Sequence, residues 1–288
     1  MTSKKLSGGL FLAILFLFVS CVSHPVIEPQ DEPLLYPEET YIPQSFDWQQ
    51  VHNGIWRFDF KNPEFPVIYH AVKIDLTNAA LTPVCFPSKD TPKKIAQKGK
   101  KTSRFAKQEG CVVAINTSPF NKTGLKKEVL GIHIDNKTQL YPPVEGYSAL
   151  IINRLPETQG LIADIVDSQT PQAFENADFA FGGFFTVLRD GQIQAFPSCS
   201  HDSRCGCGIS EDGKILYILV AEGELPSISE GLSYPQCAQI FKAMGCDDAM
   251  EFDGGGSTEL CIDGKSVLSY PTLRKQAGSF GFVLFRLP

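Results

Sequence analysis

Asp253 stands directly before Gly254, Gly255 and Gly256, and Ser257 and Thr258 follow at once. Glycines lose more backbone freedom on folding than other residues, so three in a row are kept for a conformation or a close approach. A carboxylate on one side and two hydroxyls on the other make that approach a polar one. Two readings stand: backbone N–H groups gathered into an anion nest, or a tight bend that only glycine can make. A nucleotide-type phosphate loop is excluded by context, because such a loop runs from a strand into the N-terminus of a helix. Here "STELCIDGKSVL" follows, alternating on both sides of Asp263-Gly264, which predicts strand, turn, strand.

Three further polar residues stand at the ends of apolar runs. Asn116 closes "CVVAIN", Arg204 lies in the Gly- and Cys-rich "SRCGCGIS", and Glu222 closes "LYILVAE". Several buried strands that end in polar groups build a pocket at one edge of a sheet. Taken singly, each has a plain structural use as a turn former, a surface cation or a strand-end charge. Glu251 lies two residues before Asp253, on the same face of a strand. Two carboxylates there raise the proton affinity of one of them.

The elements that must hold these residues are legible in the pattern. "PVIYHAVKIDL" (Pro66–Leu76) alternates as a strand, with Val67, Tyr69, Ala71 and Lys73 on one face. The basic run "KKIAQKGKK" reads as a solvated loop, and "TSRFAKQEG" as a short helix capped by Thr102 or Ser103 and stopped by Gly110. "CVVAIN", "YSALIINR", "FAFGGFFTVLRDGQI" and "KILYILVAEG" are strand candidates. "SYPQCAQIFKAMGC" is the clearest helix, with Ser233 as cap, Pro235 in the first turn and Gly245 at its end. The strand "AMEF" follows at once. Strands outnumber helices, so the expected fold is α+β or mixed α/β: a curved mixed β-sheet packed with a few helices in a single domain.

The composition, 43% hydrophobic and 20% charged, is that of a globular chain. A net charge of −6 gives no general attraction to nucleic acid. Lys4 and Lys5 precede the apolar "LFLAILFLFV", which is too short for the ~20 residues of a membrane span and reads as a signal peptide over residues 1–20. It ends in "FVSC", which resembles a bacterial lipoprotein signal with Cys21 as the lipidated residue. Phe18 stands where leucine is usual, which leaves plain secretion as the alternative. The expected location is the bacterial cell envelope, with the membrane reached through the anchor. Residues 21–50, rich in proline and acid, read as a tether, and residues 51–288 as the folded domain.

Beyond Cys21 eight cysteines remain, an even number that suits disulfides or buried thiols in an exported chain. Most are expected to be paired, with at least one bridge in the region Cys199–Cys207. Zinc on Cys199, His201, Cys205 and Cys207 is disfavoured, since Cys-x-Cys is tighter than structural zinc spacings. Neither a metal nor a cofactor is called for.

From about Tyr69 to Phe285 the chain resembles the phosphodiester glycosidase family. The resemblance is carried by "VVAINTSPF", "AFGGFFTVLRDGQI", "SRCGCGIS" and the block "ILVAEGELPSISEGLSYPQCAQIFKAMGCDDAMEFDGGGST", which keep the family's order and spacing. It departs from the family at Thr117, Ser118 and Pro119, where glycines are usual, at Glu251, where asparagine is usual, and at Glu222, where aspartate is usual. The resemblance implies hydrolysis of a sugar 1-phosphodiester at the anomeric C–O bond. Asp253 is then the candidate nucleophile or base, with Glu222 or Glu251 as partner. Arg204 would grip the phosphate. Gly254, Gly255, Gly256, Ser257 and Thr258 would hold phosphate oxygens or sugar hydroxyls, and Asn116 would position the sugar. A non-catalytic glycan-binding lipoprotein of the same fold, and a metal-dependent phosphodiesterase cutting the P–O bond, are the competing readings.

Overall fold

The computed structural model describes residues 37–78, 80–158, 160–196, 200–225 and 227–284. The signal peptide, Cys21, most of the tether and Cys199 lie outside the described residues. Residues 35–288 form a compact unit of their own. The folded part begins earlier than the sequence pattern indicates. Tyr41, placed in the tether by composition, is buried against the core, and its carbonyl accepts the Tyr69 hydroxyl at 2.9 Å.

The largest sheet has eight strands. Their order is Gln49–His52, Ile55–Lys61, Ile68–Asp75, Ile215–Glu222, Arg204–Ile209, Asp248–Glu251, Thr186–Arg189 and Gln192–Ile193. One five-stranded sheet is built around Ala149–Arg154 and Phe179–Gly182, and another around Cys111–Asn116 and Ser279–Leu284. Every strand pairing among the described residues is antiparallel, so the expected mixed sheet is corrected to antiparallel ones. The reason lies in one insertion. The helix Tyr234–Met244 does connect two strands that run the same way, Ile215–Glu222 and Asp248–Glu251, but Arg204–Ile209 lies between them and pairs antiparallel with both. The architecture is mostly β, with several sheets and few helices.

Alternation along the strands separates two cores. Val72, Ile74, Ile218 and Val220 of the large sheet pack with Leu150 and Phe181 of the second and with Ile115 and Phe280 of the third. The residues between them, Tyr69, Ala71, Tyr217 and Leu219, face the other way and pack with Ile240 and Phe241 of the helix Tyr234–Met244. Each fully buried Val, Leu, Ile or Phe among them contributes about 1.5–3 kcal/mol. The predicted helix caps are present for this helix: Ser233 and Gln236 form a capping box, and Gly245 ends it in the left-handed region at φ 96°.

The other helix, Thr102–Glu109, ends at Gly110 as expected, but neither Thr102 nor Ser103 caps it. Gln276 supplies the acceptor, taking the Thr102 N–H at 3.0 Å, while the Thr102 hydroxyl pairs with Ser279. The basic run expected as loop contains one helical turn, Lys93–Ala96. The seven described cysteines are all free and buried, which corrects the expectation of disulfides between them. Burial pushes the thiols of Cys205, Cys207, Cys237 and Cys246 well above their ordinary value, so they are protonated core residues.

Candidate active site

The glycine loop leaves the strand Asp248–Glu251 at its C-terminal end and enters the strand Leu260–Ile262. One side chain fixes both of its ends. Asn116 donates from Nδ2 to the Asp253 carbonyl at 2.5 Å and accepts the Glu259 N–H on Oδ1 at 2.9 Å. Asp253 is held again by its own N–H, which donates to the Thr117 carbonyl at 2.7 Å. Asn116 is therefore a buried positioning residue.

Each glycine has a separate reason. A Cβ on Gly254 would lie 2.6 Å from the Ser203 carbonyl oxygen, and one on Gly256 would lie 2.3 Å from Arg274 Cζ. Gly255 takes φ +53°, a left-handed conformation that costs little only for glycine. Both readings of the run are thus partly met. The bend is real, and Gly255, Ser257 and Thr258 spend their N–H groups on the carbonyls of Ser203, Gly254 and Gly255. The loop keeps fewer free donors than an open nest. Its distinctive feature is the guanidinium of Arg274 lying over Gly256.

Gly255, Gly256 and Thr258 line a cleft of about 190 Å³ with Ser203, Glu222 and Tyr270. Glu222 is anchored there. Its Oε1 accepts from His70 Nε2 at 2.9 Å and from the Ser269 N–H at 2.8 Å, and its Oε2 from the Tyr270 N–H at 3.1 Å. His70 Nδ1 meets Asp59 at 2.6 Å on its other side. Burial opposes charge on Glu222, but these bonds hold its carboxyl below the ordinary value. Burial likewise opposes charge on His70, and the two carboxylates raise it above its ordinary value. In the cleft the charged form of Glu222 is thus favoured, and a histidine of raised proton affinity backs it.

Asp253 is in the contrary state. Burial pushes its carboxyl up to about 6, against the Ser257 hydroxyl and the charges of Lys127 and Arg274. Its Oδ2 is buried with no hydrogen-bond partner, and the hydroxyls of Thr117, Ser118 and Thr258 share that condition. Buried polar atoms are nearly always paired. Four such atoms lie around this one loop.

Arg204 and Glu251 stand elsewhere. Arg204 pairs across the ladder with Ala221, which faces the helix Tyr234–Met244, so Glu222 one residue further on points through the opposite face of the sheet. The Arg204 guanidinium donates to the carbonyls of Leu232 (2.9 Å) and Ser200 (2.7 Å) and lies 4.0 Å over the Tyr234 ring. Glu251 is buried on the same helix side, and burial pushes it up to about 7 against the charge of Arg204. The expected coupling of Glu251 with Asp253 is corrected: both have raised proton affinity, but burial is the leading cause in each. The strand ends at Glu251 and the chain bends before Asp253, which breaks the two-residue alternation.

The structure adds residues that sequence reasoning missed: His70, Asp59, Lys127, Arg274 and Glu259. Glu259 is buried at the far end of the loop, where burial lifts it to about 7 against a hydrogen bond from Ser266. His133 is fully buried against the Pro87 carbonyl (2.8 Å), and burial lowers it to about 4. The described acids close enough to share a cation are Asp190, Asp247 and Asp248, at the opposite end of the strand from the glycine loop. Asp248 already binds Arg189 and the Asp190 N–H there.

The phosphodiester glycosidase family model matches residues 109–285. The chain belongs to the phosphodiester glycosidase family. No curated protein matches it. Solved structures share its fold at low identity, among them the following three. A hypothetical protein from Synechocystis has 13% identity and a TM-score of 0.61, over 83% of this chain and 64% of that one. This chain therefore spans less than two thirds of the Synechocystis protein. The catalytic domain of zebrafish N-acetylglucosamine-1-phosphodiester alpha-N-acetylglucosaminidase, auto-inhibited by its pro-peptide, has 16% identity and a TM-score of 0.58, over 79% and 81% of the two chains. A Burkholderia pseudomallei protein described as exported has 11% identity and a TM-score of 0.58, over 75% and 74%.

Proposed function

We propose that this phosphodiester glycosidase-family chain hydrolyses the glycosidic bond of a sugar 1-phosphodiester, releasing free sugar and a phosphate monoester. The observation that carries the reading is Asp253: a part-buried carboxyl with one buried, unpartnered oxygen, beside two cations, on a loop clamped at both ends. In this reading Asp253 acts at the anomeric carbon as nucleophile or as base for water. Glu222, kept ionised by His70 and two N–H groups, stabilises the positive charge that develops on the sugar. A phosphate monoester leaves without strong acid help, so the departing group chiefly needs a cation. Arg274 and Lys127 supply it next to the loop, whereas Arg204 shapes the cleft from behind by holding the segment that carries Ser203. Thr258 and Ser257 are placed to meet sugar hydroxyls or phosphate oxygens.

Hydrolysis in isotopically labelled water tests the reaction directly. Label is expected in the sugar and not in the phosphate. Label in the phosphate would instead establish P–O cleavage, and a protein that binds the diester without turnover would establish the glycan-binding reading.

The proposal includes export and anchoring through Cys21, on the strength of the leader and "FVSC". No helix among the described residues is long and apolar enough to cross a membrane. Cys21→Ser is expected to release the protein from the membrane fraction or to block leader removal. Unaltered partition and processing would rule the anchor out.

A further inference from the structure

The two most exposed large apolar side chains of the described protein are Leu125, 93% exposed at the tip of a hairpin, and Leu273, 82% exposed. Single exposed hydrophobics are ordinary on a protein surface. These two are set apart by their neighbours. Leu125 lies in "KTGLKKEV" and Leu273 in "TLRKQ", and a third exposed aliphatic, Ile95, lies in "KKIAQK".

Backbone bonds tie the three segments together. The Lys127 N–H donates to the Gln97 carbonyl at 2.8 Å, and Lys100 and Gln276 exchange two backbone bonds of 2.9 Å. The Lys127 side chain runs along Gly99. Ile95, Lys98, Lys101, Arg104 and Lys275 line one depression, whose charged side chains are all cationic. Glu128, the acid on this hairpin, is bonded to Gln97. In a chain of net charge −6, three backbone-linked segments bring cations and aliphatic tips together into one surface, and Thr272, next to Leu273, lines the cleft.

We propose that this face docks the folded domain on an anionic lipid surface, with Leu125 and Leu273 entering the headgroup boundary and Lys98, Lys126 and Lys275 contacting lipid phosphates. Interfacial segments combine apolar side chains with flanking lysines in this way, and each cation near an anionic leaflet adds to the attraction. A soluble polyanion has no use for aliphatic tips, and single-stranded nucleic acid is gripped on aromatic platforms. The aliphatic tips decide for lipid. Docking of this kind does not depend on Cys21 or on the proposed hydrolysis, and it would turn the cleft toward substrates held at the membrane.

Residues 35–288 have their own core and serve for the test. They are expected to sediment with vesicles of phosphatidylcholine mixed with phosphatidylglycerol, and not with phosphatidylcholine alone. Leu125→Ser with Leu273→Ser should lower the partition by about 10-fold or more. Lys98→Glu with Lys275→Glu should lower it by at least about 20-fold, and added salt should weaken it in the wild type. Turnover of a small soluble diester should be unchanged in both pairs, so a failed activity assay and a failed docking assay are told apart. Equal sedimentation with both vesicles, sedimentation with neither, or unaltered binding by the leucine pair would overturn the proposal. Tight binding of inorganic polyphosphate without vesicle binding would do the same and assign the face to a soluble polyanion.

Discussion

Asp253→Asn is expected to lower turnover of a sugar 1-phosphodiester by on the order of 10²–10⁴-fold, the range for a positioned acid–base group. Substrate binding should survive, because the amide keeps the shape and the clamps on this residue are made by its backbone. Stability should hold as well. Burial already disfavours the charged carboxylate, so a neutral amide removes a cost above about pH 6. Two arginine variants give the comparison. Arg274→Ala, losing a charge-assisted contact of about 1.5–3 kcal/mol, should lower kcat/KM by roughly 10- to 150-fold, through kcat as well as KM, since the cation serves the departing phosphate. Arg204→Lys should act on stability first, since its fork holds two carbonyls and a tyrosine ring behind the cleft. Full turnover in a folded Asp253→Asn protein would falsify the catalytic assignment.

The second large effect is on stability against pH. Burial pushes Glu251 and Glu259 up to about 7 and Asp253 up to about 6. Such a group binds its proton more tightly folded than unfolded. Its stabilising contribution is complete below the unfolded value and is lost as pH rises through the folded one. His70 has the same sign, since its raised value also favours the protonated folded state. Glu222, held low, acts only in the acid range below its ordinary value. The domain should therefore be more stable near pH 5 than near pH 8. Glu251 alone, moved from 4.5 to about 7, corresponds to on the order of 3 kcal/mol at most. That is about 6–12 °C in the thermal midpoint of a domain this size. Glu251→Gln should remove that share of the slope while leaving the rest. Parallel pH profiles for wild type and variant would show that Glu251 does not ionise in this window.

Much of the frame was legible because it obeys local rules. "CVVAIN" is a fully buried strand, Cys111–Asn116. The helix at Ser233 is capped by the residues its pattern predicts, and Asp190-Gly191 and Asp263-Gly264 adopt the positive φ angles of hairpin turns. The site was legible only in outline. Asp253, Asn116 and the glycines were found because one loop brings them together. Arg204 and Glu222 read as partners in a row of polar strand ends, but the register pairs Arg204 with Ala221, and a one-residue offset sends them through opposite faces. Arg274, Lys127 and His70 reach the site from distant segments with no motif of their own. The thiols misled because an even count of cysteines does not bring any two of them together.

The double clamp by Asn116 has a consequence for how such a site can diversify. The span between the Asp253 carbonyl and the Glu259 N–H is set by a single amide, outside the loop and beneath it. Between those posts the three glycines are fixed by close approach or positive φ, and Ser257 and Thr258 are the positions that can exchange while the ends stay in register with the sheets. Substrate preference can then drift through the loop's contents, and through Arg274 above it, without re-solving the fold. A change at Asn116 would have the opposite character, since it would loosen both ends together and leave the Asp253 end on its backbone bond to Thr117.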